Sequence, residues 1–234
     1  MSDVFNIDLV RAVSDWQRGS SEMAKIARGL ALKDVMSKLP EYFRQCDELC
    51  FRQECHQKDR TFQVLIDDKL PETIASWTTS LDVAKNFKGG VVWGDEDRSI
   101  ILAIKPPSGS VVANLDRLYG TPEFQRAVAT HGPKVDFFHN GAGKYGNTQK
   151  EIVLELGSLR STSIYSYGGY SSAANNLMVA FRDLYERDPY EQELAQVVQQ
   201  ANQPWWLSEA GTKSVIKRTL PQFISRVASR ETGK

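Results

Sequence analysis

Residues 99–107 read SIILAIKPP, an apolar run closed by a pair of prolines. So short and branched a run, stopped by Pro106 and Pro107, predicts a buried strand and sets the period for its neighbours. Downstream, Val111–Leu115 is a second short strand. Residues 121–130 follow as a helix, with Thr121 at the N-cap and Pro122 at the first position. The Gly- and Asn-rich stretch HNGAGKYGNT (139–148) is a loop, and IVLEL (152–156) is the strand that leaves it. Upstream, Leu81, Val83, Ala84 and Phe87 predict a short helix that ends at Gly89-Gly90. Phe62–Ile66 reads as a strand, Leu49–Phe51 as an edge strand, and Pro71–Ala75 as a turn with a helical start.

Outside this centre the period changes. Phe5, Leu9, Val13 and Trp16, then Met23, Ile26, Leu30, Leu32 and Val35, predict two amphipathic helices broken at Gly19-Ser20-Ser21 and ended by Pro40. Residues 161–172 are polar and Tyr-rich and read as irregular. Residues 173–187 and 190–201 read as helices. The stretch 213–234 carries six Lys/Arg against one Glu beside an apolar set from Val215 to Val227. The fold class expected is α+β, with a β-rich centre between helices.

The chain has 234 residues, 41% hydrophobic and 25% charged, with zero formal net charge. That length supports one domain with extensions, or two small ones. Charge neutrality argues against a globally basic nucleic-acid binder. Cys46, Cys50 and Cys55 form no disulfide framework, and neither they nor His56 have a second ligand pair, so no metal is expected. No secretory signal is expected, nor any contact with a membrane, and a reducing cytoplasmic setting fits.

Three pieces carry chemistry in chain order: Phe51-Arg52 ending a short apolar run, the cluster Ser76-Trp77-Thr78-Thr79-Ser80, and Gln149-Lys150-Glu151 opening a strand. Arginine offers a planar, permanent fork for phosphate oxygens. Hydroxyls at a strand-to-helix junction hold ribose or brace a carboxylate. A fixed carboxylate stabilises the cationic transition state that forms when a glycosidic bond to ribose breaks. On an extended segment, Gln149 and Glu151 would face the same side.

In this order, with SIILAI between the second and third pieces, residues 48–156 resemble the Arg–Ser–Glu branch of the ADP-ribosyltransferase superfamily, bacterial toxin and phage transferases among them. The matching pattern is Phe51-Arg52, Thr78-Thr79-Ser80 with Ala84 and Phe87, and Gln149-x-Glu151. Position 78 departs from it, being Thr where the family has Ser. The resemblance implies a split β-sandwich core at 46–160, between a helical N-terminal extension (1–45) and a mostly helical C-terminal region (161–234). It implies NAD+ as co-substrate, held by Arg52, Thr78, Thr79, Ser80 and Phe87. Glu151 would be catalytic with Gln149, and Tyr145 and Gln149 would face the acceptor.

The activity implied is mono-ADP-ribosyl transfer to a macromolecule. In the family Gln-x-Glu accompanies acceptors other than arginine, which leaves a nucleobase of RNA or DNA, or an Asn/Gln-type protein side chain. An intracellular toxin or effector of this kind implies a neutralising antitoxin or a chaperone. Two alternatives stay open: a non-catalytic NAD- or ADP-ribose-binding module, and an NAD+ glycohydrolase using water. Rival registers are weaker. Glu191-Gln192-Glu193 sits in a helical pattern, Ser161-Thr162-Ser163 has no helix and strand after it, and Arg44 follows Pro40 in helical surroundings. Trp205-Trp206 reads as a packing anchor ahead of a base-stacking platform.

Overall fold

The computed structural model describes residues 4–19, 22–70, 72–92, 97–170, 181–193, 196 and 204–232. The chain is α+β. Helices α1 (Ile7–Gln17) and α2 (Glu22–Ser37) come first, then β1 (Cys50–Gln57), a single turn α3 (Gln63–Ile66), β2 (Ile74–Thr78) and α4 (Leu81–Asn86). Next come β3 (Asp97–Ile104), β4 (Val111–Asn114), α5 (Leu115–Tyr119), α6 (Pro122–His131), α7 (Ala142–Tyr145) and β5 (Glu151–Glu155). Strands β6 (Ser163–Tyr170) and β7 (Pro204–Trp206) precede a C-terminal helix, Glu209–Thr232. Among the described residues, seven strands follow the order β4-β5-β2-β1-β3-β6-β7.

Two compact units divide the chain. The first comprises Met1–Arg52, Val64–Ala84 and Ala103–Ser163. Its core sets α1 and α2 against β2, β4 and β5, with α5 and α6 completing the layer. Helix α1 starts where the Asn6 side chain accepts from the backbone N–H groups of Asp8 and Leu9. It then buries Leu9, Val10 and Val13. Helix α2 buries Leu32 and Met36, one turn apart, and turns Gly29 toward Ile74 and Trp16. A Cβ at Gly29 would lie 3.1 Å from Ile74 and 3.2 Å from Trp16, so the glycine permits the close approach. The seam therefore runs along Gly29, Leu32 and Met36. Met23, Ile26 and Leu30, expected to face the core, are exposed instead.

The second unit comprises Gln53–Gln63, Lys85–Leu102 and Ile164–Lys234. Phe62 packs on Tyr167 and on Phe223 of the C-terminal helix, with ring centroids 6.1 and 5.8 Å apart. Trp206 donates its indole N–H to the Lys85 carbonyl at 2.9 Å and lies against Gly168, where a Cβ would meet it at 2.8 Å. The tryptophan is thus a packing anchor, on a strand.

Four segments differ from their sequence reading. Phe62–Ile66 forms a helical turn from Gln63 to Ile66, since a five-residue apolar run does not separate strand from helix. Ile74 and Ala75, expected in a turn with a helical start at Pro71–Ala75, instead open the strand Ile74–Thr78. Strand β1 lies between β2 and β3 and is interior, although its first residues read as an edge. The segment read as irregular at 161–172 contains β6, which tolerates Gly168 and Gly169 because Trp206 and Arg98 occupy the space their side chains would fill. The helices expected at 173–187 and 190–201 lie largely outside the described residues. Among the described residues no helix is long and apolar enough to cross a membrane.

Candidate functional site

Strands β1, β2 and β5 align the three chemistry-bearing pieces in one row. Phe51 pairs with Thr78, and Thr78 pairs with Glu151. Side chains directly opposite on antiparallel strands share a face, and period two extends that face from Thr78 to Ser76. Ser76 is accordingly within reach of Glu151, and its hydroxyl donates to Glu151 Oε1. The same oxygen accepts the Trp16 indole N–H at 2.7 Å, and Oε2 accepts Gln17 Nε2 at 3.3 Å. Glu151 is 4% exposed, so its carboxylate is buried, and three neutral donors hold it.

Burial pushes the Glu151 carboxyl up from its ordinary value. Hydrogen bonds from Ser76, Trp16 and Gln17, and the charge on Arg52, pull the other way and offset only part of the desolvation. The same low-dielectric setting pushes the Tyr119 phenol up, first by burial and then by the nearby Glu151 charge. Tyr119 donates its hydroxyl to Gln17 Oε1 at 2.8 Å, and Gln17 Nε2 also reaches the Gly146 carbonyl at 3.1 Å. The Gln17 amide is thereby fixed from both ends.

Arg52 lies on β1. Its Nη1 donates to the Ser76 carbonyl at 2.8 Å and its Nη2 to Glu72 Oε1 at 3.4 Å. Glu72 is buried and also receives Lys25 Nζ at 3.4 Å, so two cations meet one carboxylate. The guanidinium is oriented by a strand carbonyl and an acid.

The hydroxyls of the middle cluster divide their work. Thr78 donates to the Gln149 carbonyl at 2.7 Å and accepts the Ser80 N–H at 3.0 Å. The Thr79 N–H donates to the Lys150 carbonyl at 3.3 Å. Ser80 caps α4 by accepting the Val83 N–H at 3.3 Å. Thr78 and Thr79 thus clip the loop before Glu151 to the end of β2, and Ser80 starts the helix after it. Phe87 belongs to the second unit, where it opens a turn of 3-10 helix and is exposed.

The acceptor-side residues sit on the segment leading to β5. Tyr145 ends α7, with Lys144 Nζ 5.1 Å from its ring, and both Tyr145 and Gln149 are half-buried. Lys150 has a left-handed backbone (φ 43°), so Gln149 is not on an extended segment with Glu151. The period-two argument for a shared face fails there, and the Gln149 carbonyl is held by Thr78 instead.

The structure therefore brings together Arg52, Thr78, Thr79, Ser80, Gln149 and Glu151, and adds residues the sequence did not single out. Ser76 was legible as two positions before Thr78 on one strand. Trp16, Gln17 and Glu72 had no local signal, because 135 positions separate Trp16 from Glu151.

The rival residues lie elsewhere. In the second unit Glu193 is held by two bonds from Arg187, each 2.9 Å. Arg44 ends a 3-10 turn, Glu41–Arg44. Cys46 and Cys50 are buried with Sγ atoms 3.8 Å apart, Cys55 is exposed, and no group of three metal-ligating side chains occurs among the described residues. No family model, curated protein or solved structure matches the chain.

Proposed function

We propose that this chain is a mono-ADP-ribosyltransferase that uses NAD+ and modifies a macromolecular acceptor other than arginine. One observation carries the reading: a buried carboxylate, Glu151, held by neutral donors in the row that also contains Phe51 and Thr78, with Arg52 next along β1. Breaking the bond between ribose C1′ and the nicotinamide nitrogen releases neutral nicotinamide and leaves positive charge on the ribose. A fixed anion in a low-dielectric setting stabilises that charge far more than it would in water. The acceptor nucleophile then bonds to C1′ and loses its proton.

In this reading Arg52 binds the diphosphate or ribose, and Thr78, Thr79 and Ser80 support the nicotinamide side. Gln149 and Tyr145 address the acceptor. An amide offers both a donor and an acceptor, which suits a nucleobase edge or an Asn/Gln side chain. The sheet is read as the split β-sandwich of this superfamily, and a neutralising protein partner belongs to the same reading.

The burial of Glu151 supports a second reading, in which the chain binds NAD or ADP-ribose without cleaving it. Incubation of the protein and its Glu151→Gln variant with labelled NAD+ and a cell lysate separates the two. Label on an acceptor with the wild type alone supports the transferase. Its loss on nuclease or on protease treatment names the acceptor class. Nicotinamide release without transfer indicates a glycohydrolase. NAD+ left intact by the wild type refutes catalysis.

A further inference from the structure

We infer that Trp16 and Gln17 of α1 are positioning residues for the reaction, aiming the Glu151 carboxylate at the ribose. This rests on Glu151 being the catalytic carboxylate of the proposed transferase. The geometry is specific. An indole N–H is a donor only, and Trp16 spends it on Glu151 Oε1 at 2.7 Å. Gln17 turns its amide N–H groups toward Glu151 Oε2 and the Gly146 carbonyl, and Tyr119 fixes the orientation by donating to Gln17 Oε1.

Helix α1 cannot yield easily, because Leu9, Val10 and Val13 anchor it in the core. The carboxylate is thus gripped by a rigid element from the opposite end of the sequence. The chemistry of the grip also matters. Trp16, Gln17 and Ser76 are all neutral, so they favour the ionised carboxylate without cancelling its charge. A hydrogen-bonded Lys or Arg would quench the field that a developing ribosyl cation needs. Two of these donors are adjacent on one helix, and with Ser76 they leave Oε2 room for one more donor, such as a ribose hydroxyl. The N-terminal helices are then part of the site.

The test uses the full chain with Trp16→Phe, which keeps a six-membered aromatic ring and removes the indole N–H together with the five-membered ring that carries it, and Gln17→Leu, which removes the second donor. Steady-state kinetics on NAD+ should show kcat lowered by about 10- to 100-fold with KM changed by less than about threefold, as for loss of one hydrogen bond to a charged group. The acid limb of the kcat profile should move to higher pH. A carbon-13 NMR titration of the Glu151 side-chain carboxyl, assigned with Glu151→Gln, should show a higher midpoint in both variants.

That titration does not depend on turnover. If wild type and Glu151→Gln consume NAD+ equally, the transferase reading fails, and an unmoved midpoint separately overturns the role of Trp16 and Gln17. A Trp16→Phe protein that melts like the wild type with unchanged kcat, pH profile and titration also overturns it. If Trp16→Phe fails to fold, Gln17→Leu decides by the same readouts.

Discussion

Replacing Gly141 by alanine tests how tightly the segment before β5 is seated on α1. An added Cβ would fall 2.1 Å from the Ser14 carbonyl oxygen, 2.6 Å from Ser14 Oγ and 2.8 Å from the Ser14 carbonyl carbon. Ordinary contact begins near ~3.4 Å, so helix and loop must part by roughly 1 Å or more. Two of the three atoms are backbone, and no rotamer change relieves them. Ser14 precedes Trp16 by two residues on the same rigid helix, so the parting stretches the 2.7 Å bond to Glu151 beyond hydrogen-bond range.

Overpacking of this kind costs about 1–3 kcal/mol. A buried carboxylate that loses a donor adds about 1–3 kcal/mol. Taking about 3 kcal/mol in total, a chain of this size should melt roughly 6–12 °C lower. Differential scanning calorimetry measures the shift. Gly157→Ala serves as the control, because nothing lies within 4 Å of its added Cβ. It should melt within about 2 °C of the wild type. A Gly141→Ala protein that melts with the control would show that α1 and the loop do not touch as described.

The remaining expectations concern charge, binding and access. Because burial raises the folded-state value of Glu151, the wild type is relatively more stable below the usual carboxylate range and loses that stability as pH rises through the raised value. Glu151→Gln should therefore gain melting temperature over the wild type at neutral pH, and the gap should narrow in acid. Melting curves from pH 4 to 8 check this, and a gap that widens in acid contradicts it. Arg52→Lys cannot span Ser76 and Glu72 as the guanidinium does, so KM for NAD+ should rise by about tenfold. An unchanged KM would remove Arg52 from the proposed binding site. In the folded protein iodoacetamide should label Cys55 alone, with Cys46 and Cys50 reacting after denaturation. Mass spectrometry counts the adducts, and more than one on the native chain would show the buried pair to be open.

The strands with the strongest local signal, SIILAI and IVLEL, were legible because uninterrupted apolar runs between breakers admit few alternatives. The first helix was legible from Leu9, Val13 and their spacing. In α2 the periodicity pointed to Met23, Ile26 and Leu30, whereas the packed stripe includes Gly29, whose missing side chain admits Ile74 and Trp16. Strand β6 was hidden because its glycines and tyrosines resemble a loop until Trp206 is placed beside them. At the site, Arg52, the hydroxyl cluster and Glu151 were each visible as residue types suited to one chemistry. Their alignment across β1, β2 and β5 depends on strand register, which no local pattern encodes. Trp16, Gln17 and Glu72 were hidden for a related reason: each is ordinary in its own neighbourhood and acquires its role only through a distant partner.

The tie between Trp16 and Glu151 also orders events in the life of the chain. A contact spanning 135 positions closes only after the intervening strands have paired, since the entropy of so long a loop must be overcome by the packing around it. A ribosome releases α1 early and β5 much later, so the growing polypeptide carries the grip long before the group it grips. The carboxylate meets its α1 donors only when nearly two thirds of the sequence has been made and has condensed. A fragment beginning at β1 would keep Glu151 and Ser76 while lacking the two α1 donors that hold the carboxylate.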